Sequence, residues 1–380
     1  MSWKHLFSRS LADNPMHFAA HSHHLWPDAS FDGHIEAWTD AARLADLKWD
    51  RIMGEVWPEA QRHIAAELNL PDPSSIAFSA NTHDFLIRIA SAIERRPLRI
   101  LTTDGEFHSF RRQAARWEEA GEAVVERLPI GAGLSTRLAE RSADFDLIWV
   151  SHVMFGTGAV VEGLAALAAV ARPGGPWVVV DGYHSFMAVE TDLSAVADRI
   201  FYLSGGYKYA MAGEGIGFVH APPGFAMRPV VTGWFAEFDD RDQPQGKIGY
   251  AADASRLLGA TFDATGLYRF NAVRRMLDAE GLTTATISAH VAGLQHRAVE
   301  ALARTALGRM KLVNPLDDGS HARFLAYRGD EASVIHAALL RHSVVTDLRG
   351  DIIRIGFGLY HDNSDVDTLA TMLNDDTVDR

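Results

Sequence analysis

A chain of 380 residues has room for a large domain and a smaller one, and 47% hydrophobic with 22% charged residues supports a sizeable core and excludes a disordered or fibrous protein. Lysine and arginine total 36 against 49 acids, and the resulting charge of −13 argues against nucleic acid and anionic membrane surfaces as partners. The lack of any cysteine removes disulfides, thiolate metal sites, thiol nucleophiles and persulfide carriers together.

The first fifteen residues, MSWKHLFSRSLADNP, carry bases but no apolar core of signal-peptide length. No later segment approaches the ~18 continuous apolar residues of a membrane helix, so a cytoplasmic protein is expected. His17, His21, His23 and His24 follow as a cluster. Their spacing lacks an acidic partner and fits no common zinc pattern, so the expectation is a substrate-facing loop and no metal.

Between about residues 60 and 220, short apolar β-rich runs alternate with longer amphipathic stretches, the mark of βαβ units. The predicted strands are IAFS at 76, RILTT at 99, DLIWVS at 146, WVVVD at 177, RIFYL at 199 and GIGFVH at 215. Helical stretches begin near Phe85, Phe110 and Glu162. Runs such as WVVV are apolar on both faces, as expected when helices cover both sides of a sheet. The fold class is therefore α/β: a three-layer αβα large domain with a mainly parallel sheet.

A polar stretch between Phe238 and Gly249 reads as an excursion near a site. A long helical segment from about Leu267 to Arg304 breaks near Gly281. ARFLAYR, a helix from about Glu331, SVVTDL, IIRIGFGLY and a last helix then form a small α+β domain. The expected division is an amino-terminal segment over 1–30, the large domain over 31–262, and a linking helix with the small domain over 263–380. Internal repeats and low-complexity tracts are absent from the sequence.

The stretch from Val178 to His220 carries the chemistry. Asp181 ends one predicted strand, His184 follows three residues later, and Lys208 comes just after the next strand. In an open α/β sheet the carboxyl ends of strands face the ligand crevice. An aspartate, a histidine and a lysine there suit a cofactor with a pyridine nitrogen and an aldehyde: the carboxylate keeps the nitrogen protonated and the amine forms the Schiff base. Gly213, Gly215 and Gly217 lead into a strand instead of a helix, which is a poor match to a dinucleotide loop and argues against a nicotinamide oxidoreductase.

With Asp181, Gly182, Tyr183 and His184 as Asp-x-x-His, and Tyr207 and Lys208 as Tyr-Lys before AGEGIGFVH, the chain resembles the pyridoxal 5'-phosphate (PLP) dependent class V aminotransferase family of fold type I. Within it the chain is most similar to kynureninase. The resemblance implies a PLP-transferase-like large domain, with Lys208 as the Schiff-base lysine and Asp181 as partner of the pyridine nitrogen. His184 would stack on the ring or contact its oxygen, and Tyr207 would be a proton donor. The segment from Val231 to Phe235 resembles the family's Gly-Trp-Phe, which places Trp234 near the phosphate. EFHSF from Glu106 makes Phe107 the ring-stacking residue. FSANTHDFL puts Ala80, Asn81 and Thr82 at the mouth of a helix that cradles the phosphate, where free N–H groups and a dipole end would meet a dianion.

LGATF around Thr261 resembles a segment that reaches the phosphate of a neighbouring subunit, which implies a homodimer with active sites at the interface. IIRIGFGLY makes Arg354 the grip on the substrate carboxylate, with a buried structural ion pair as the alternative. Where the family carries Asn-Ser-Leu-Gly this chain has His21, Ser22, His23 and His24, so His21 and Ser22 become substrate-binding candidates. After Thr261 the family continues with prolines, and this chain with Phe262 and Asp263. The expected function is hydrolytic carbon–carbon cleavage of a small-molecule amino-acid substrate, kynureninase-like. Transamination, β-elimination and racemisation or epimerisation are the alternatives within the cofactor class, and a non-catalytic protein that keeps the fold is the alternative outside it. Cysteine desulfuration is excluded by the missing cysteine.

Overall fold

The computed structural model describes residues 2–14, 16–237, 246–316 and 321–374. Of the predicted polar excursion between Phe238 and Gly249, residues 238–245 lie outside the described residues.

The large sheet contains β1 (Ile76–Ser79), β2 (Leu98–Thr103), β3 (Ala123–Leu128), β4 (Leu147–Ser151), β5 (Trp177–Asp181), β6 (Ile200–Gly205) and β7 (Gly217–His220). Their spatial order is β1-β7-β6-β5-β4-β2-β3. Neighbours run parallel except at β7, which is antiparallel to both β6 and β1. All six predicted strands are present. β4 and β6 are buried along their whole length, and β5 up to Asp181, so the apolar-on-both-faces reading was sound. The seventh strand, β3, was not predicted. It is one of the two edge strands, its pattern AVVERL is mixed, and Val124 is half exposed, so it lacks the apolar signal of a buried strand, which β1 at the other edge keeps.

The helices are α1 (Ser8–Asp13), α2 (Asp28–Leu44), α3 (Lys48–Arg51), α4 (Trp57–Leu68), α5 (Thr82–Ala92), α6 (His108–Glu119), α7 (Leu134–Arg141), α8 (Leu164–Val170), α9 (Thr265–Ala279), α10 (Thr284–Leu302), α11 (Ala332–Arg341) and α12 (Asn363–Asn374). The predicted break near Gly281 lies between α9 and α10. Gly281 takes a left-handed φ of 65°, and Thr283 starts α10 with a capping box. α2 crosses α9 closely at Gly33, where an added Cβ would stand 2.6 Å from the Tyr268 carbonyl oxygen. Among the described residues, no helix is long and apolar enough to cross a membrane.

The carboxy-terminal part holds a second, antiparallel sheet of β8 (Lys311–Leu312), β9 (Phe324–Arg328), β10 (Asp347–Arg349) and β11 (Ile352–Gly356), in the order β10-β11-β9-β8. The amino-terminal segment docks onto it. His17 bridges Val345 and Ala19 bridges Gly356, and the Phe18 N–H donates to the Val345 carbonyl at 2.7 Å. A few residues later the His24 N–H donates to the Tyr207 carbonyl at 2.9 Å, so this segment ties the small sheet to the end of β6 in the large one.

Candidate active site

Two neighbouring parallel strands deliver the central pair. β5 ends at Asp181, whose Oδ1 accepts the Tyr183 N–H at 2.9 Å and so tightens the turn that carries His184. β6 ends at Gly205, and Gly206 leads into Tyr207 and Lys208. Lys208 is only 6% exposed. Its Nζ lies 5.9 Å from the centroid of the Phe107 ring and 5.5 Å from that of Tyr183, and donates a long hydrogen bond of 3.4 Å to the Ser22 carbonyl oxygen. Burial drives the Lys208 amine down to about 7, and Arg354 pushes the same way while Asp181 and Asp347 oppose. Burial raises the Asp181 carboxyl to about 6, against the pull of the Tyr183 N–H and Lys208. Burial likewise raises Tyr207 to about 12, so its phenol keeps its proton and can donate it.

These groups border one cleft of about 190 Å³, lined also by Asn81, Thr82, Phe107, His184 and Phe155. Asn81 and Thr82 stand where α5 begins, and the Asn81 side chain accepts the Asp84 N–H at 3.1 Å, which leaves the first N–H groups of the helix for an anion. Ala80, just before them, is exposed and is not part of the lining. Phe107 caps α6 and meets Phe155 edge-on at 5.4 Å. His184 is buried with its Nδ1 unpartnered, and burial first, then Lys208, hold its pKa far below the ordinary value.

Phe107 is held by the residue before it. Glu106, fully buried, accepts from the Thr103 hydroxyl at 2.7 Å and from the Ser151 hydroxyl and N–H at 2.6 and 3.2 Å, which ties the β2–α6 turn to the end of β4. Burial raises its carboxyl to about 7 despite those donors. Glu106→Ala leaves Thr103 and Ser151 without their acceptor, and urea denaturation is expected to show a loss of about 3 kcal/mol. An unchanged midpoint would show that Glu106 does not hold the turn.

Some candidates are placed elsewhere. Trp234 and Thr261 share a different cleft with Trp49, Asp50 and Met53, so within one chain they do not reach Lys208. Arg354 is 2% exposed and outside the lining, its fork turned onto Asp347, so the buried ion pair named as the alternative is what the structure contains. His21 is fully buried. Its ring stacks on Phe324 at 4.6 Å, both ring nitrogens lack hydrogen-bond partners, and burial, then Arg354, keep it uncharged. Ser22 reaches Lys208 through its carbonyl and not through its hydroxyl. Among the described residues, no group of three or more His, Asp or Glu side chains could hold a metal ion.

Sequence reasoning passed over Tyr183, Phe155, Ser151 and Asp347. Asp347 meets Arg354 only through the antiparallel register of β10 and β11, which no local pattern in the sequence marks.

The family described as the kynureninase C-terminal domain matches residues 287–373. The isopenicillin N epimerase of Streptomyces clavuligerus is 30% identical over 216 residues, which spans 52% of this chain and 52% of that protein, so the chain matches about half the length of this curated relative. Among solved structures, the apo cysteine desulfurase of Thermococcus onnurineus is 19% identical, covers 98% of both chains and superposes with a TM-score of 0.79. A variant of C-DES with glycine covalently linked to its PLP cofactor is 18% identical, covers 99% of this chain and 100% of its own, and has a TM-score of 0.82. The architecture is thus the three-layer αβα, class V aminotransferase-like fold of PLP-dependent enzymes, with a small carboxy-terminal domain built on an antiparallel sheet.

Proposed function

We propose that this protein is a PLP-dependent enzyme that acts on the α-carbon of an amino acid, with Lys208 as the attaching amine. The observation that carries this reading is a buried lysine held near neutrality in the same cleft as the buried carboxyl of Asp181, at the carboxyl ends of adjacent strands. The remaining residues fit the group. The Phe107 ring offers an aromatic face, and the amino end of α5 at Asn81 and Thr82 offers N–H donors to a phosphate. Bound there, PLP supplies an aldehyde for covalent attachment and a ring that withdraws electrons from the α-carbon.

The chain's own groups then have distinct tasks. Asp181 holds the ring nitrogen protonated. Lys208, uncharged for much of its time near pH 7, removes and returns the α-proton at its Nζ. Tyr207, whose phenol stays protonated, donates to the leaving part of the substrate. Trp234 and Thr261, remote from Lys208 in their own chain, serve the site of a second copy in a homodimer.

The branch we favour is hydrolytic carbon–carbon cleavage of a kynurenine-like substrate. The kynureninase-type carboxy-terminal domain and the aromatic walls of the cleft, Phe107, Phe155, Tyr183 and Tyr207, support it. Epimerisation is the second reading, favoured by the relative from Streptomyces clavuligerus. The test is the absorption spectrum of purified protein, which is expected to be yellow and to bleach with borohydride. Anthranilate released from kynurenine establishes the hydrolase, and inversion at the α-carbon of an amino acid substrate without net conversion, read by chiral chromatography, establishes the epimerase. A colourless protein that takes up no PLP overturns the assignment.

A further inference from the structure

Beside the cleft lies a wider groove of about 1080 Å³ along α6, and His83 and Ser109 border both. His83 stands in the first turn of α5, next to Asn81 and Thr82, so the groove meets the cleft at the end where N–H donors await a phosphate. In a chain of net charge −13 this groove is basic: Arg111, Arg112, Arg116 and Arg127 line it against Asp104 and Glu119. Arg127 is engaged with Glu118 at 2.5 Å, and Arg116 with Glu119 at 3.4 Å. Arg111 and Arg112 are exposed, and among the described residues their guanidinium groups have no hydrogen-bond or ion-pair partner, so the fold makes no use of these two charges. Their field reaches the cleft wall. His108, whose ring meets that of Phe155 at 5.1 Å, is held below its ordinary pKa by burial and then by Arg111.

We propose that this groove is an approach path for anions, in which Arg111 and Arg112 draw the phosphate of the incoming cofactor toward the amino end of α5. This rests on the reading of the cleft as a PLP site. A phosphate monoester carries nearly two negative charges near neutral pH. The protein as a whole, acidic on balance, repels such a ligand. A patch of opposite sign at the mouth of the cleft raises the local concentration of the anion and its rate of arrival, and salt weakens the effect by screening exposed charges beyond roughly 10 Å. Neither arginine lines the cleft itself, so both act on arrival and not on the bound state.

The experiment is stopped-flow uptake of PLP, and of pyridoxal, which lacks the phosphate, by cofactor-free protein at pH 7.5 across a range of salt. At limiting ligand the apparent second-order rate constant contains the encounter even where a later step is slower. For wild type it should fall about tenfold for PLP as salt rises from about 0.02 M to about 0.5 M, and hardly change for pyridoxal. The double substitution Arg111→Gln with Arg112→Gln should slow PLP uptake about fivefold at low salt and flatten its salt dependence. Pyridoxal uptake and the melting temperature should stay as they are, since both side chains are exposed. Equal PLP uptake by wild type and the double variant at low salt overturns the proposal, and so does an equal loss for PLP and pyridoxal, which marks damage to the cleft. A wild type that takes up no PLP overturns the PLP reading and the approach path together, whereas uptake in which the two arginines play no part overturns the path alone.

Discussion

Lys208→Ala is expected to give a colourless protein with turnover reduced at least about 10³-fold, since one residue supplies both the covalent attachment and the proton transfer. Folding should survive, because the Lys208 amine makes only a long contact with the Ser22 carbonyl. The same lysine sets a pH profile. A pKa of about 7 leaves roughly three-quarters of the amine uncharged at pH 7.5, against about 0.1% for an unperturbed lysine. The rate of PLP uptake by cofactor-free protein should therefore climb with pH up to about 7 and flatten above it. An uptake that keeps rising toward pH 10 would show an ordinary lysine and remove the physical basis of the site. The check is stopped-flow absorbance across pH 5.5 to 9, with Lys208→Ala as the blank.

Asp181→Asn has the second largest expected effect, and its two consequences have opposite signs. Turnover should fall by at least about 10²-fold, because a neutral amide no longer holds a ring nitrogen protonated. Stability of the cofactor-free protein should rise. The folded carboxyl titrates near 6, above its unfolded value of 3.8, so its contribution is intact below pH 3.8 and lost as pH climbs through 6. Above pH 6 the buried charge is a standing cost, on the order of 3 kcal/mol, which asparagine relieves while still accepting the Tyr183 N–H. Thermal denaturation at pH 7.5 checks the second half. A variant that is both slower and less stable would mark Asp181 as a structural turn residue.

What was readable in the sequence divides along a physical line. Six buried strands were evident because layers on both faces demand unbroken apolar runs such as WVVV, whereas the start of α5 was reached through the family resemblance of FSANTHDFL, and its cap, Asn81, is seen only in the structure. Asp181 and Lys208 were placed because each follows a strand whose end the pattern marks. β3 escaped because, unlike the buried edge strand β1, it is partly exposed and its sequence AVVERL is mixed. The bond between Arg354 and Asp347 was out of reach, since it depends on the register of two short strands, which no local pattern encodes. His21 was read as facing substrate. Instead it packs beneath Gly356 and against Phe324, a contact made by residues distant in the chain.

The strap formed by the amino-terminal segment bears on the order of assembly during synthesis. His17 Nδ1 and the Tyr360 hydroxyl, 2.7 Å apart, are separated by 343 positions, and the bridges from His17 and Ala19 reach Val345 and Gly356. Ser22, which closes over Lys208, hangs from that strap. A ribosome must therefore expose nearly the whole chain before the strap can seat, and closing so long a loop is an entropic cost met only at the end. Until then Lys208 has the aromatic neighbours Phe107, Tyr183 and Tyr207 that its own domain supplies, but lacks the Ser22 carbonyl and the neighbouring charge of Arg354. The last of its surroundings is completed late, by a contact the two ends of the chain make together.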